Sequence, residues 1–302
     1  MENLIRIETV SEYNALINQE TLNPLISVVD VSKSSLAPPP QGSASVYWGL
    51  YTVFLKEVKC GDLRYGKSTY DYQEGTLVFI APGQIISVEN NEEAAIPKGY
   101  ALAFHPDLIH GTHLGKHIQE YNFFGYQSNE ALHISQREQR IVLDCFAKIG
   151  FELEHGIDKH SKDLIVDNIE LLFKYCVRFY DRQFITRQTI HKGILEKFEL
   201  LLNSYFISDK VETIGLPSVA HCASELNLSA SYFGDLIKKE TGVTAQEYIQ
   251  TKLIDVAKEE LSDPNLTVSE IAYKLGFRYP QHFARLFKKQ VGKTPLEYRN
   301  LN

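Results

Sequence analysis

The sequence predicts an α+β multidomain protein. A β-rich N-terminal part forms an antiparallel sandwich or barrel, a helical pair follows, and an all-α C-terminal part holds two helix-turn-helix units. Three observations carry this expectation. Short runs of β-branched and aromatic residues alternate with turn signals up to about residue 135. Beyond that point apolar residues recur at helical spacing. The last hundred residues or so then contain an internal repeat. A chain of 302 residues is long enough for about two domains, each with its own core.

Residues 46–58 and 75–81 read as strands, with turns expected at Pro38-Pro39-Pro40, Gly61-Asp62, Pro82-Gly83 and Asn90-Asn91. Short strands at such spacing suit a sandwich or barrel. Ser135 stands three residues before Glu138, a capping-box pattern ahead of Ile141, Val142 and Phe146. A second helix is expected over residues 161–184, with Leu164, Ile165, Ile169, Leu172, Phe173 and Val177 as its apolar stripe. These two helices read as an interdomain or dimer element. A helix over 190–206 and a series of short helices come next, broken at Pro217, Pro264 and several glycines. The expected divisions are therefore 1–134, 135–186 and 187–302.

Composition removes several function classes. No apolar run approaches the ~18 residues of a membrane span. Residues 1–8 lack the basic segment and apolar stretch of a secretory signal. Cys60, Cys145, Cys176 and Cys222 lie far apart with no C-x-x-C pair, which reads as reduced thiols in a cytoplasmic protein. Net charge is −7 over the chain, but unevenly spread. Residues 186–302 carry 15 basic and 14 acidic side chains, and the remainder 16 and 24. Within residues 278–299, Arg278, Arg285, Lys288, Lys289, Lys293 and Arg299 face only Glu297. A local excess of that kind is an electrostatic footprint for nucleic acid.

The repeat falls on the same region. Residues 218–228 (SVAHCASELNL) align with 267–277 (TVSEIAYKLGF), 232–239 (YFGDLIKK) with 282–289 (HFARLFKK), and 242–248 (GVTAQEY) with 292–298 (GKTPLEY). Each copy meets the requirements of a helix-turn-helix. Ala223 and Ala272 are small where two helices cross, and Asn227 and Gly276 are residue types that tolerate φ > 0 at the turn. Cys222, Leu226, Leu228, Phe233 and Leu236 form the expected buried set of the first copy. Ile271, Leu275, Phe277, Phe283 and Leu286 form that of the second. The opposite face of each second helix is left to enter a major groove.

With these residues in place, the last hundred or so positions closely resemble the AraC family of bacterial transcription regulators. Gly276-Phe277, Phe283-x-x-x-Phe287-Lys288-Lys289 and Thr294-Pro295-x-x-Tyr298-Arg299 carry the resemblance. It implies a seven-helix module whose two units are joined by one long helix, here about 246–262 and roughly 25 Å long. Such a strut would set the recognition helices about one DNA turn apart, ~34 Å. Arg278, Tyr279, Pro280, Gln281, His282 and Arg285 lie where base edges come within reach. Gln281 suits adenine, and Arg278 or Arg285 suits guanine. Lys288, Lys289 and Lys293 suit phosphates. In the first copy Ser229, Ala230, Ser231, Tyr232, Gly234 and Lys238 take the corresponding places, with Lys239 following. Asp235 stands where the second copy has Arg285. It either accepts from a cytosine amine or weakens the first unit.

The resemblance further implies a cupin-like β-barrel at the N-terminus that binds a small effector or mediates dimerisation. Residues 61–66 and 75–83 resemble its hairpins. Tyr47, Trp48, Tyr51, Tyr65, Tyr70 and Tyr72 could line an interior, or simply pack its core. His105, His110, His113 and His117 are crowded, and the spacing of the last two would suit one helix face. However, Gly111 and Gly115 bracket His113 and favour a loop, and the paired H-x-H with a following Glu of metal-binding cupins is absent. No metal or other cofactor is therefore expected. No Ser-His-Asp order, P-loop or dinucleotide fingerprint appears, so no enzymatic activity is expected. The expected partners are double-stranded DNA and a second copy of the chain, with room for a small effector and RNA polymerase, and no membrane.

Overall fold

The computed structural model describes residues 4–33, 44–56, 63–65, 68–69, 75–88, 99–126, 130–155, 158–186, 188–208 and 210–300. They divide into two compact units, Met1–Thr186 and Arg187–Asn302. The turns expected at Pro38-Pro39-Pro40, Gly61-Asp62 and Asn90-Asn91 lie outside the described residues, as do Cys60, Tyr70 and Tyr72.

The first unit opens with β1 (Leu4–Ile7), α1 (Val10–Leu16), β2 (Ile26–Asp30), β3 (Ala44–Trp48) and β4 (Tyr51–Lys56). It continues with β5 (Leu63–Tyr65), β6 (Ser68–Thr69), β7 (Thr76–Ile80), β8 (Gln84–Val88) and β9 (Gly99–Phe104). After these come α2 (Pro106–Ile109), α3 (His113–His117), β10 (Leu132–His133), α4 (Gln136–Glu154) and α5 (Ser161–Thr186). Two five-stranded sheets result, ordered β1-β3-β8-β5-β6 and β10-β7-β4-β9-β2. Pairing is not antiparallel throughout, because β1 runs parallel to β3 with Leu4 opposite Ser45. The single strand expected over 46–58 is two strands, broken at Gly49-Leu50. There a Cβ on Gly49 would sit 2.9 Å from the Glu8 Cα.

One apolar cluster joins the sheets. Ile7, Val46, Trp48 and Ile86 of the first sheet meet Val29, Ile80, Ala101 and Ala103 of the second, with Val10, Tyr13 and Ile17 added from α1 and its end. Strand alternation then turns Leu102 and Phe104, also fully buried, to the other face of β9. On that side Phe104 lies 6.4 Å from Phe173 of α5, and Phe79 lies 4.3 Å from Phe123. All five residues of β7 are buried, as expected of a strand covered on both faces.

Trp48 and Tyr51 belong to this packing. The Trp48 indole donates to Thr52 Oγ1 at 2.6 Å, and Tyr51 stacks on Phe104 at 5.2 Å. Tyr47 is half-buried beneath the Arg6 guanidinium, 4.8 Å from its ring centre.

Helix α4 starts in the capping box expected at Ser135 and Glu138. The Glu138 carboxylate also accepts two bonds from Arg182 of α5, at 2.8 and 3.1 Å. The apolar stripe of α5 runs through Ile165, Ile169, Leu172, Phe173 and Cys176, each 3% exposed or less. Leu164 and Val177 fall on the outer face at 45% and 42%, which corrects their place in the expected stripe.

The histidine segment is also corrected. His113 and His117 lie on the helix α3 rather than in a loop, because Thr112 accepts the Gly115 N–H and starts a turn there. Gly111, at φ +80°, only shapes the entry. The His113 ring faces Glu170 at 3.2 Å, and Lys174 reaches the same oxygen at 2.6 Å. Lys174 first, and then His113, hold the Glu170 carboxyl below its usual range. Cys145, Cys176 and Cys222 are free and buried.

The second unit is helical: α6 (Gln188–Ile207), α7 (Lys210–Ile214), α8 (Val219–Glu225), α9 (Ala230–Thr241), α10 (Ala245–Leu261), α11 (Val268–Lys274), α12 (Pro280–Val291) and α13 (Pro295–Arg299). These are eight described helices where the resemblance implied seven. Leu253, Ile254, Ala257 and Leu261 of α10 pack with Ile271 and Ala272 of α11 and with Phe283 and Phe287 of α12. Among the described residues no helix is long and apolar enough to cross a membrane.

Phe283 is fully buried in that cluster. Phe283→Ala is expected to destabilise the chain by about 3–5 kcal/mol, and exposed Gln290→Ala by under about 0.5 kcal/mol, in denaturant unfolding.

Candidate nucleic-acid interface

Both repeats fold as helix, turn and helix. Ser218 and Thr267 cap α8 and α11 through their hydroxyls. Ala223 and Ala272, 1% and 0% exposed, lie at the crossings. The expected turn residues adopt positive φ, +56° at Asn227 and +77° at Gly276. The turn bonds are equivalent: Leu228 N donates to Ala223 O and Phe277 N to Ala272 O, both at 2.9 Å. Helices α9 and α12 end alike, on left-handed Gly242 and Gly292. Thr244 with Glu247 and Thr294 with Glu297 then close capping boxes on α10 and α13.

The two recognition helices begin differently. Ser229 caps α9 by accepting the Tyr232 N–H at 3.1 Å. Helix α12 has no side-chain cap and starts with Pro280 at its first turn, where the missing N–H costs nothing. Its exposed face carries Gln281, His282, Arg285, Lys288 and Lys289, three or four residues apart. Arg278 and Tyr279 extend this face into the turn, the guanidinium 5.8 Å from the Tyr279 ring. Lys293 adds to it beyond Gly292. Among the described residues Arg278, Arg285, Lys288, Lys289 and Lys293 are in no ion pair. Arg299 differs from them. It is half-buried, and its Nε donates to Leu261 O at the end of α10, 3.0 Å away. It leaves the outward charge run and caps the strut instead.

On α9, Ala230, Lys238 and Lys239 are exposed, and Ser231, Gly234 and Asp235 are half-buried. Tyr232 is corrected as a surface contact. It is 4% exposed because it lies on the same side as Phe233 and Leu236, which are fully buried. Ser229, at 8%, is used as a cap and likewise points inward. The local signal for Ser229 is its cap position, which turns the hydroxyl to the backbone of the first turn, whereas Tyr232 carries none, since its repeat equivalent His282 is exposed. Sequence reasoning also missed the tie between Tyr248 and Glu199, which links α10 to α6. Burial first, and Glu199 second, push the Tyr248 phenol up to about 12. Its repeat partner Tyr298 instead packs edge-on to Phe287 at 5.5 Å.

The carboxyls of Glu247, Glu270 and Glu297 are held below the usual range, first of all by the backbone N–H groups of Thr244, Thr267 and Thr294. Weaker contributions come from Lys289 and Lys238 at Glu247, and from Lys288 and Lys293 at Glu297. Lysines of both recognition helices thus lie within electrostatic reach of the start of α10.

The family profile described as a helix-turn-helix domain matches residues 222–301. The TetD protein of transposon Tn10 from Escherichia coli is 33% identical over 144 residues, which cover 47% of this chain and 91% of that protein. The probable transcriptional regulator LumQ of Photobacterium leiognathi is 25% identical over 146 residues, 48% of this chain. The match covers 54% of LumQ, so the chain spans about half the length of that relative. Among solved structures, the C-terminal domain of the two-component response regulator yesN from Fusobacterium nucleatum is 26% identical. The match covers 35% of this chain and 98% of that one, at a TM-score of 0.31.

A carboxyl depressed in the folded state stabilises it above the ordinary value of 4.5, and that contribution is lost as pH falls through the folded value. Thermal unfolding followed between pH 7 and pH 3 is expected to show a falling Tm at the acid end. The triple variant Glu247→Gln, Glu270→Gln, Glu297→Gln is expected to show a shallower fall.

Proposed function

The chain belongs to the AraC family of transcription regulators, and from that premise we propose that it recognises a specific DNA sequence through α9 and α12. One observation carries the reading: α12 turns Arg285, Lys288 and Lys289 to solvent, in no ion pair among the described residues, while Phe283 and Phe287 anchor its opposite face. A helix of that kind has its charge available for phosphates and its first turn available for base edges. In this reading Arg278, Gln281 and Arg285, with Tyr279, Pro280 and His282 around them, meet bases. Lys288, Lys289 and Lys293 meet phosphates. From the first unit Ala230, Ser231, Gly234 and Asp235 face bases, and Lys238 and Lys239 the backbone. Asp235 puts an acid on the face that Arg285 makes basic in the second unit, so the second unit supplies more of the affinity.

The proposed organisation is a cupin-like barrel over 1–134, a helical element over 135–186 that pairs two copies, and the DNA-binding part over 187–302. Two sheets sharing one apolar core support the barrel. The outward Leu164 and Val177 support a pairing role for α5. The Tyr13 hydroxyl, buried among the sheets with no hydrogen-bond partner among the described residues, supports control by a small effector, and the proposed location is the cytoplasm. An effector acts here only by binding DNA-competent and incompetent arrangements unequally. RNA polymerase is the partner such a regulator addresses once on DNA.

Selecting duplexes from a random-sequence pool with the full chain tests the reading directly. A recovered consensus is expected, and recovery without one overturns sequence specificity. On the recovered duplex, Arg285→Ala is expected to cost about 1–3 kcal/mol of binding in a quantitative shift assay, and Asp235→Ala clearly less. Equal large losses would show the two units to be equivalent. Lys288→Ala and Lys289→Ala are each expected to lower the salt dependence of binding by about one unit of slope, with little change in preferred sequence.

A further inference from the structure

We propose that the elbow between α6 and α7 is a brace that sets the spacing of the two recognition helices, with Tyr205 as its positioning residue. This rests on the DNA reading above. The strut α10 touches α9 of the first helix-turn-helix and α11 and α12 of the second. A single helix of 17 residues leaves each unit able to pivot about its own end. A second connection away from the α10 axis removes that freedom, and the elbow makes one.

Tyr205, near the end of α6, is 5% exposed, and its ring meets that of His221 on α8 edge-on at 5.5 Å. The next residue, Phe206, packs into the cluster formed by Phe283, Phe287 and α10. Adjacent side chains of one helix thus engage the first unit and the second. The Tyr205 hydroxyl then donates to Gly215 O at 3.0 Å, closing the elbow across ten residues. This holds α7, with Val211 2% exposed, against α11.

The contact with the second unit is backbone on backbone. A Cβ on Gly276 would run into the Val211 carbonyl oxygen and sit 3.1 Å from the Gly215 Cα. The repeat shows why this matters. Asn227 makes the same turn in the first unit at φ +56°, so the turn alone does not demand glycine. At 276 the closeness of α7 leaves no room for a side chain, a constraint added to that of the turn. Glycine at that position serves the brace, and α7 is the helix beyond the seven that the resemblance implied.

Two linked reading heads bind cooperatively only when their separation matches that of their targets, and rigidity sharpens the match. Loosening the brace therefore weakens binding to a correctly spaced site and relaxes discrimination against a wrongly spaced one. The test uses the duplex recovered by the wild-type full chain, the same duplex with one or two base pairs inserted between its two contacted segments, and a duplex with one segment scrambled. Tyr205→Phe keeps the ring and removes the hydroxyl. It is expected to bind the unaltered duplex roughly three- to tenfold more weakly, with a similar fall in the ratio between unaltered and inserted duplexes. Binding to the single-segment duplex is expected to be unchanged. A merely structural role would weaken all three alike. Gly276→Ala, compared at a temperature where its circular dichroism matches wild type, is expected to relax spacing further, whereas Asn227→Gly leaves it unchanged. A spacing ratio for Tyr205→Phe equal to wild type overturns the brace, as does a wild-type chain indifferent to the insertions. A pool from which wild type enriches nothing overturns the DNA reading itself, and the brace with it.

Discussion

Burial of two phenylalanines is the constraint on which the rest depends. Phe283 and Phe287 are one turn apart and fully buried, and they fix which way α12 faces. With that face held against α10 and α11, the cationic positions of the opposite face point to solvent. Those positions are Arg285, Lys288 and Lys289, in no ion pair among the described residues. The electrostatic surface is thus a consequence of packing. Apolar burial of this size is worth several kcal/mol per ring, far more than the repulsion between exposed like charges screened by salt.

The same scaffold serves two different surfaces. Both units share turn bonds, left-handed glycine ends and threonine–glutamate capping boxes. Their outer faces diverge, with Asp235 and Gly234 on α9 against Arg285 and Ala284 on α12. Local backbone geometry is set by small polar residues and glycines at a few fixed positions, which leaves the outward positions free to differ.

Much of this was legible because it is local. The Ser135 capping box, the positive φ at Asn227 and Gly276, and the small alanines at both crossings follow from spacings of a few residues. The outward run of lysines follows from helical period. Tyr232 and Val177 were misplaced because period alone leaves the rotation of a helix uncertain by one position. His113 and His117 were misplaced because a cap at Thr112 outweighed two flanking glycines. Strand β1 was not visible because four residues carry too little pattern, and its parallel partner lies about 40 positions away.

Sequence by itself determined the repeat, the turn chemistry and the sign of charge on α12, since each depends on residues within one or two helical turns. Tertiary structure alone decided that Arg299 caps α10 instead of joining the cationic face, and that Glu199 meets Tyr248. It also decided that Gly276 answers to a neighbouring backbone as much as to its own turn. These last depend on close approach between segments distant in the chain. No spacing rule encodes such an approach, because it exists only once both segments have packed.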